Sequence, residues 1–451
     1  MRRSIALFVT LGVVAPIASM PACGKSASSS PPSSTDDAEA GLAMVPRAPS
    51  PRALRDLVGL ATNPDDFPNG TDAGSVMHRA FIYDKLAEAG FHRIRRDFGW
   101  SEIEKTRGAF DFARYDTLVA EARAHGIEIL ATLDYGNPWA TSQAGADDYY
   151  PPDDPSDFAR FAGAVAAHFA GQLHDYEIWN EPNVGFRFWK PTLNGDAARF
   201  GALVLESTRA IASADAAARV AYGGTAYMEL VRGPDFASSS FASAPGLAGA
   251  LGAFAMHAYS IYPPTRGPES SESYEVPLLD KVATMSGVLA TAGAPSTLPI
   301  WITEIGWPTT TSTSPDQQAR FTVRALVLAA LAGADGTFLY TMGDGPHPDA
   351  DPPEDAFGLV GYHADFSDGQ RPPDKPAFGA IKALLADVGA FAVKRRVPTQ
   401  ADDVYVVELS SSAATAWIYW SARAADGAAP VDVTLPNGAT VSAGPDPRVA
   451  R

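Results

Sequence analysis

A chain of 451 residues is too long for one small domain and has room for a large barrel with an accessory unit. Its 46% hydrophobic and 10% aromatic content can fill such a core, while a net charge of −17 argues against nucleic acid, which needs clustered Lys and Arg. The same acidity makes a neutral partner more natural than a strongly anionic polymer.

Cys23 is the single cysteine, which excludes an internal disulfide and any cysteine-built metal cluster. Ahead of it, Met1-Arg2-Arg3 is a basic start and Ile5 to Ala18 an apolar stretch too short to span a bilayer comfortably. Small residues then precede Cys23, so 1–23 reads as an export signal. It resembles a bacterial lipobox in which Cys23 becomes the lipidated first residue, although Met20 and Pro21 depart from that pattern; an ordinary secretory signal is the other reading. The expectation is an exported protein, either secreted or held at the cell envelope, with membrane contact only through this anchor. Residues 24–50 are rich in Ser, Pro, Asp and Ala and read as a flexible linker.

From about Leu57 strand-like and helix-like segments alternate, the pattern of a parallel α/β sheet. Strands are predicted at Leu57 to Ala61, His92 to Phe98, Ile127 to Leu133, Tyr176 to Asn180, Arg219 to Gly223, Ala253 to Tyr259, Ile300 to Thr303 and Gly336 to Thr341. Amphipathic, alanine-rich stretches lie between them, such as Phe112 to Ala124, Ser156 to Ala170, Ala197 to Ser213 and Gln317 to Leu331, with Lys375 to Leu385 after the last strand. Gly90, Gly126 and Gly333 stand where helix-ending glycines belong. Eight such units over residues 51–388 predict a (β/α)8 TIM barrel. A doubly wound sheet is the rival, but no Gly-x-Gly-x-x-Gly follows the first strand. Residues 389–451 carry short strands at Val404 to Leu409, Thr415 to Trp420 and Val431 to Leu435, then the turn Pro436-Asn437-Gly438; they predict a small antiparallel β unit docked on the barrel.

Two strings carry the chemistry: Tyr176-Glu177-Ile178-Trp179-Asn180-Glu181-Pro182-Asn183 and Trp301-Ile302-Thr303-Glu304-Ile305-Gly306-Trp307-Pro308. Each delivers a glutamate to the carboxyl end of an apolar strand, where a buried carboxylate demands a reason. In a barrel both strand ends open at the functional mouth. One lone strand-end glutamate is often a cap or an ion-pair partner. A convergent pair can divide acid and nucleophile roles in cleaving a glycosidic bond, with carboxyls about 5–5.5 Å apart when configuration is retained. Glu177 reads as structural, because four residues back along a strand puts it roughly 13 Å deeper.

Other residues have weaker signals. The Asn180 amide can meet a sugar hydroxyl. Tyr259 can hydrogen-bond the nucleophile, His257 the sugar, and Arg95 can keep Glu304 ionised. For each of these a structural role is the alternative, and His257 with its neighbours resembles a metal site too weakly to use. Tyr135, Trp139, Trp189 and Trp307, with Trp100 and Phe186, fall in or near strand-to-helix loops, where they either stack on sugar rings or pack in the core.

The glutamate segments resemble those of clan A glycoside hydrolases, and are especially similar to family 39 and related bacterial exopolysaccharide glycosidases. Phe188-Trp189-Lys190-Pro191 and Gln317-Gln318-Ala319-Arg320 extend the two matches. Phe98 to Glu104 with Gly108 to Phe112, Asp134 to Pro138, and Phe357 to Val360 leading to Lys375-Pro376-Ala377 also agree. The resemblance covers residues 55 to 390 and implies a TIM barrel with a β-rich appendage. It further implies retaining hydrolysis with no cofactor and no metal, with Glu181 as acid/base and Glu304 as nucleophile. Many relatives carry a tryptophan at the end of the eighth strand; here Phe338 to Asp344 leaves Tyr340 or Met342 to floor the sugar site. The resulting expectation is a monomeric retaining β-glycosidase acting on a β-linked carbohydrate. A transglycosylase and a non-catalytic glycan-binding lipoprotein are the alternatives. The rims Gly145 to Asp154 and Gly343 to Asp355 leave endo or exo action open.

Overall fold

The computed structural model describes residues 43–64, 73–227, 232–260, 267–271, 275–350, 353–422 and 429–451. The expected export signal and Cys23 lie outside the described residues. No helix among the described residues is long and apolar enough to cross a membrane.

Eight strands close into a parallel barrel: β1 (Val58–Ala61), β2 (Arg93–Gly99), β3 (Glu128–Asp134), β4 (Asp175–Ile178), β5 (Arg219–Ala226), β6 (Ala253–His257), β7 (Ile300–Ile305) and β8 (Gly336–Tyr340). Each pairs with the next, and β1 pairs with β8. Principal helices follow them in turn: Ala73–Ala89, Ala113–Ala124, Pro155–His168, Ala197–Ala214, Gly233–Ser243, Leu278–Thr291, Pro315–Leu331 and Pro376–Val388. Local chemistry starts and stops them. Asp154 and Asp196 cap by accepting from Ser156 N and Arg199 N, and Ser314 with Gln317 forms a reciprocal capping box. Gly90, Gly126 and Gly333 end three helices at φ +81°, +69° and +80°, a region that favours a residue without Cβ.

The barrel interior is filled in layers, and alternation along a strand selects what enters each layer. Near the bottom, Arg93 Nη2 donates to Asp175 Oδ2 at 3.0 Å and lies over the rings of Trp301 and Phe338. Two residues higher on the same strands, Arg95 pairs with Glu177. The mouth lies above this second layer.

Two strand boundaries matter for the site. The sequence predicts β4 through Asn180, but the regular strand stops at Ile178 because Trp179 takes a left-handed φ of 69° and Glu181 one of 44°. The strand β5 runs on to Ala226 rather than Gly223, with an irregularity between Tyr222 and Thr225.

The C-terminal unit adds a four-stranded antiparallel sheet of β9 (Ala392–Arg396), β10 (Val404–Ser410), β11 (Thr415–Ser421) and β14 (Arg448–Ala450), and a hairpin of β12 (Val431–Thr434) and β13 (Thr440–Ala443). Alternation splits its residues. Tyr405, Val407, Leu409, Ile418 and Trp420 join the main core, while Val404, Val406, Trp417 and Tyr419 pack with Leu435 and Ala443. The predicted turn is present, with Gly438 N donating to Leu435 O at 2.9 Å.

Residues 43–50, the end of the expected linker, are bonded to the barrel. Val45 N donates to Ala283 O, Ser50 N to Ala330 O and Arg47 Nη2 to Leu298 O, at 2.9, 3.0 and 2.9 Å.

Candidate active site

Glu304 is the penultimate residue of β7, next to His257 on β6 in the sheet register. Glu181 lies three residues beyond β4. The left-handed backbone at Trp179 and Glu181 turns the chain at the rim, and strain of this kind persists only where surroundings enforce it. Two contacts do so here: Glu181 N donates to Gly224 O at 2.9 Å, and Trp179 Nε1 donates to Phe188 O at 2.8 Å.

The result is a compact cluster in which Glu181, His257 and Glu304 present donor atoms that all lie within 4.8 Å of one another. His257 Nδ1 meets Glu181 Oε1 at 2.9 Å and Glu304 Oε2 at 3.6 Å. Tyr259 Oη donates to Glu304 Oε2 at 2.8 Å, and Arg95 Nη1 donates to Glu304 Oε1 at 2.6 Å. Both glutamates keep part of their side chain open, 16% and 14%, whereas His257 is fully buried.

Beneath them Glu177 is completely buried and fully satisfied. It accepts from Arg95 Nε and Nη2 at 2.8 and 3.2 Å, from Gly224 N at 2.8 Å and from Thr303 Oγ1 at 3.2 Å. Arg95 therefore ties Glu177 below to Glu304 above, and its Nη2 also donates to Asn180 Oδ1 at 2.9 Å. Gly224 is required by proximity: a Cβ there would stand 2.2 Å from His257 Nε2 and 2.6 Å from Glu177 Oε1.

Electrostatics follow from this crowding. Burial would lower the Arg95 pKa, but Glu177 and Glu304 hold it well above its ordinary value. Burial likewise opposes protonation of His257, and the charges of Glu304 and Glu181 outweigh it, leaving the ring above its ordinary value. Burial and then Glu304 push the Tyr259 and Tyr340 phenols upward, so both stay protonated as donors. Burial and Asp97 raise Asp134 strongly.

The structure brings together Glu181, Glu304, Arg95, Asn180, His257, Tyr259, Tyr135 and Tyr340. Asn180 Nδ2 donates to Tyr135 Oη at 3.0 Å, so both ends of the amide are engaged by protein. His257, expected against the sugar, is instead sealed behind the two carboxylates. For two of the tryptophans the packing alternative holds. Trp189 and Trp307 are each 1% exposed, packed on Trp179 and Phe200 and on Phe321 respectively, so neither ring can stack on a substrate. Trp139 is half-buried; its Nε1 donates to Glu104 O, and its ring packs against Trp100, Arg107 and Arg160. Met342 is buried, while Tyr340 is half-buried and packs edge-on to Phe357. The ladder Arg93-x-Arg95 opposite Asp175-x-Glu177 passes unnoticed in the sequence reading, although charges two apart on buried strands could have flagged it.

By donor type, Glu181, His257 and Glu304 could also hold a divalent cation. The hydrogen bonds from Arg95 and Tyr259 already occupy both Glu304 oxygens, which suits proton chemistry better.

Fold and site together define a (β/α)8 barrel with two glutamates converging at the strand-end mouth. No protein-family model and no curated protein matches the chain. Among solved structures it is similar to a family 39 glycoside hydrolase from the gut symbiont Bacteroides cellulosilyticus WH2, with a TM-score of 0.68 at 19% identity, covering 90% of this chain and 82% of that one. A family 39 enzyme from Xanthomonas axonopodis pv. citri gives 0.57 at 20% identity, over 86% and 77% of the two chains. A family 39 beta-xylosidase from Caulobacter crescentus gives 0.57 at 19%, over 83% and 79%. Likeness at this level of identity establishes the shared barrel.

Proposed function

We propose that this protein is a retaining β-glycosidase, with Glu181 as acid/base and Glu304 as nucleophile. The observation that carries the reading is the approach of their carboxyl oxygens to within 4.8 Å, too close for a water to work between them and suited to direct attack on the anomeric carbon. The surroundings fit this division of labour. Glu304 is met by a guanidinium and a phenol, which suits a nucleophile that must carry negative charge. With the Nδ1–H tautomer of His257 donating to Glu181 Oε1, the other oxygen, Oε2, is left to carry the proton given to the leaving oxygen. In the first step Glu304 bonds to the anomeric carbon as the glycosidic bond breaks and Glu181 protonates the departing oxygen. In the second, Glu181 takes a proton from water, which attacks the same carbon and frees Glu304. The similar structures include enzymes named as family 39 glycoside hydrolases, which supports an O-glycosidic substrate.

The test uses aryl β-glycosides. Glu304→Ala is expected to abolish turnover. Glu181→Ala should lower kcat/KM by about 100- to 10,000-fold on poor leaving groups. On activated ones added azide should restore its rate, giving a β-glycosyl azide. Equal loss on every leaving group without azide rescue overturns the role assignment.

A further inference from the structure

Strands β4 and β8 face each other across the barrel, yet their loops meet. Arg187, in the short helix Gly185–Phe188, forms a two-pronged ion pair with Glu354, in the turn Glu354–Ala356: Nη1 donates to Oε1 at 3.1 Å and Nη2 to Oε2 at 3.3 Å. Such a fork fixes orientation as well as distance. On one side the Arg187 guanidinium lies 4.6 Å over the Phe188 ring, which stacks on Tyr135 at 5.6 Å and 3°. Tyr135 in turn bonds Asn180, the neighbour of Glu181. On the other side, three residues beyond Glu354, Phe357 packs edge-on against both Tyr259 and Tyr340, and Tyr259 bonds Glu304. Each foot of the bridge therefore rests on a residue tied to one of the two glutamates. Burial opposes it, but Glu354 and then Glu181 raise the Arg187 pKa above its ordinary value, so the guanidinium stays charged. Arg187 and Glu354 are 35% and 29% exposed, leaving donor and acceptor edges to solvent.

We propose that the Arg187–Glu354 bridge closes one end of the substrate cleft and makes the site accept the terminal unit of a glycan chain, these two residues setting that length specificity. This rests on the glycosidase reading above. An open groove would let a chain run past both glutamates; a bridge between opposite walls stops it on the side it spans. The exposed edges of the fork then meet hydroxyls of the terminal sugar.

A panel of 4-nitrophenyl β-glycosides selects the sugar, and the preferred glycoside is compared with the same compound lengthened by one unit at its non-reducing end. Initial nitrophenolate release by the wild type should favour the short substrate by roughly 100-fold or more in kcat/KM. Arg187→Ala and Glu354→Ala should each narrow this ratio by about tenfold, and the double variant no further than either, because the two act as a unit. The ratio is taken on one sample, so the folded fraction cancels. Where a single variant is inactive on both substrates, the charge-exchanged Arg187→Glu/Glu354→Arg protein should restore the preference, and its failure overturns the assignment. Equal release from both substrates by the wild type, or variants that leave the ratio unchanged, also overturns it. No release from any aryl glycoside sinks the glycosidase reading itself and takes this inference with it.

Discussion

His257 touches both glutamates while exposing none of its surface, so its charge state bears on stability as well as on proton placement. Its folded pKa stands above the ordinary 6.5 because two carboxylates outweigh burial. A raised folded value means that the protonated ring contributes stability fully below about 6.5, and that this is lost as pH rises through the folded value. The wild-type melting temperature, minus that of His257→Asn, should therefore decline as pH rises from below 6.5; a flat difference would refute the linkage. Among single residues, Glu181 and Glu304 stood out as candidates because a carboxylate at the end of an apolar run has few structural excuses. For Trp189 and Trp307 the sequence left stacking and core packing open, because proximity to a loop does not say which way a ring faces. Glu177 was set aside on depth alone, yet the Arg95 side chain is long enough to connect that depth to the mouth.

At the scale of elements, the order of strands and helices could be read from periodicity, whereas the irregular ends could not. Trp179 breaks β4 through a left-handed backbone that no side-chain pattern announces, and the bend is held by bonds from Trp179 to Leu133 and Phe188 and from Glu181 to Gly224. Strands β9 and β14 were missed for related reasons. Three of the five residues of Ala392–Arg396 are charged, and Arg448–Ala450 has three residues, too few to show alternation. Helix starts, by contrast, obey local chemistry. Ser314→Ala removes the side-chain half of the capping box on Pro315–Leu331 and should cost about 1 kcal/mol in urea unfolding. Turnover should be unchanged, since that helix end lies outside the glutamate cluster.

Across the whole molecule, the C-terminal unit is locked to the barrel by polar as well as apolar contacts. Glu269 is buried against Arg324 at 3.6 Å and accepts from Trp420 Nε1 at 2.6 Å. Arg324 also donates to the carbonyls of Ser421 and Pro445. Removing one partner of a buried pair leaves the other charge uncompensated, so Glu269→Ala should lower stability by about 3–5 kcal/mol. Because Tyr405, Val407 and Leu409 belong to the main core, calorimetry should still show one transition. Two separate transitions would mean that the β unit folds alone.

The bonds that pin residues 43–50 have a directional consequence. They hold that segment to helix Leu278–Thr291 and to Leu298 and Ala330, on the outer flank and underside of the barrel. The described chain therefore begins against the flank of the barrel, on the side away from the strand-end mouth.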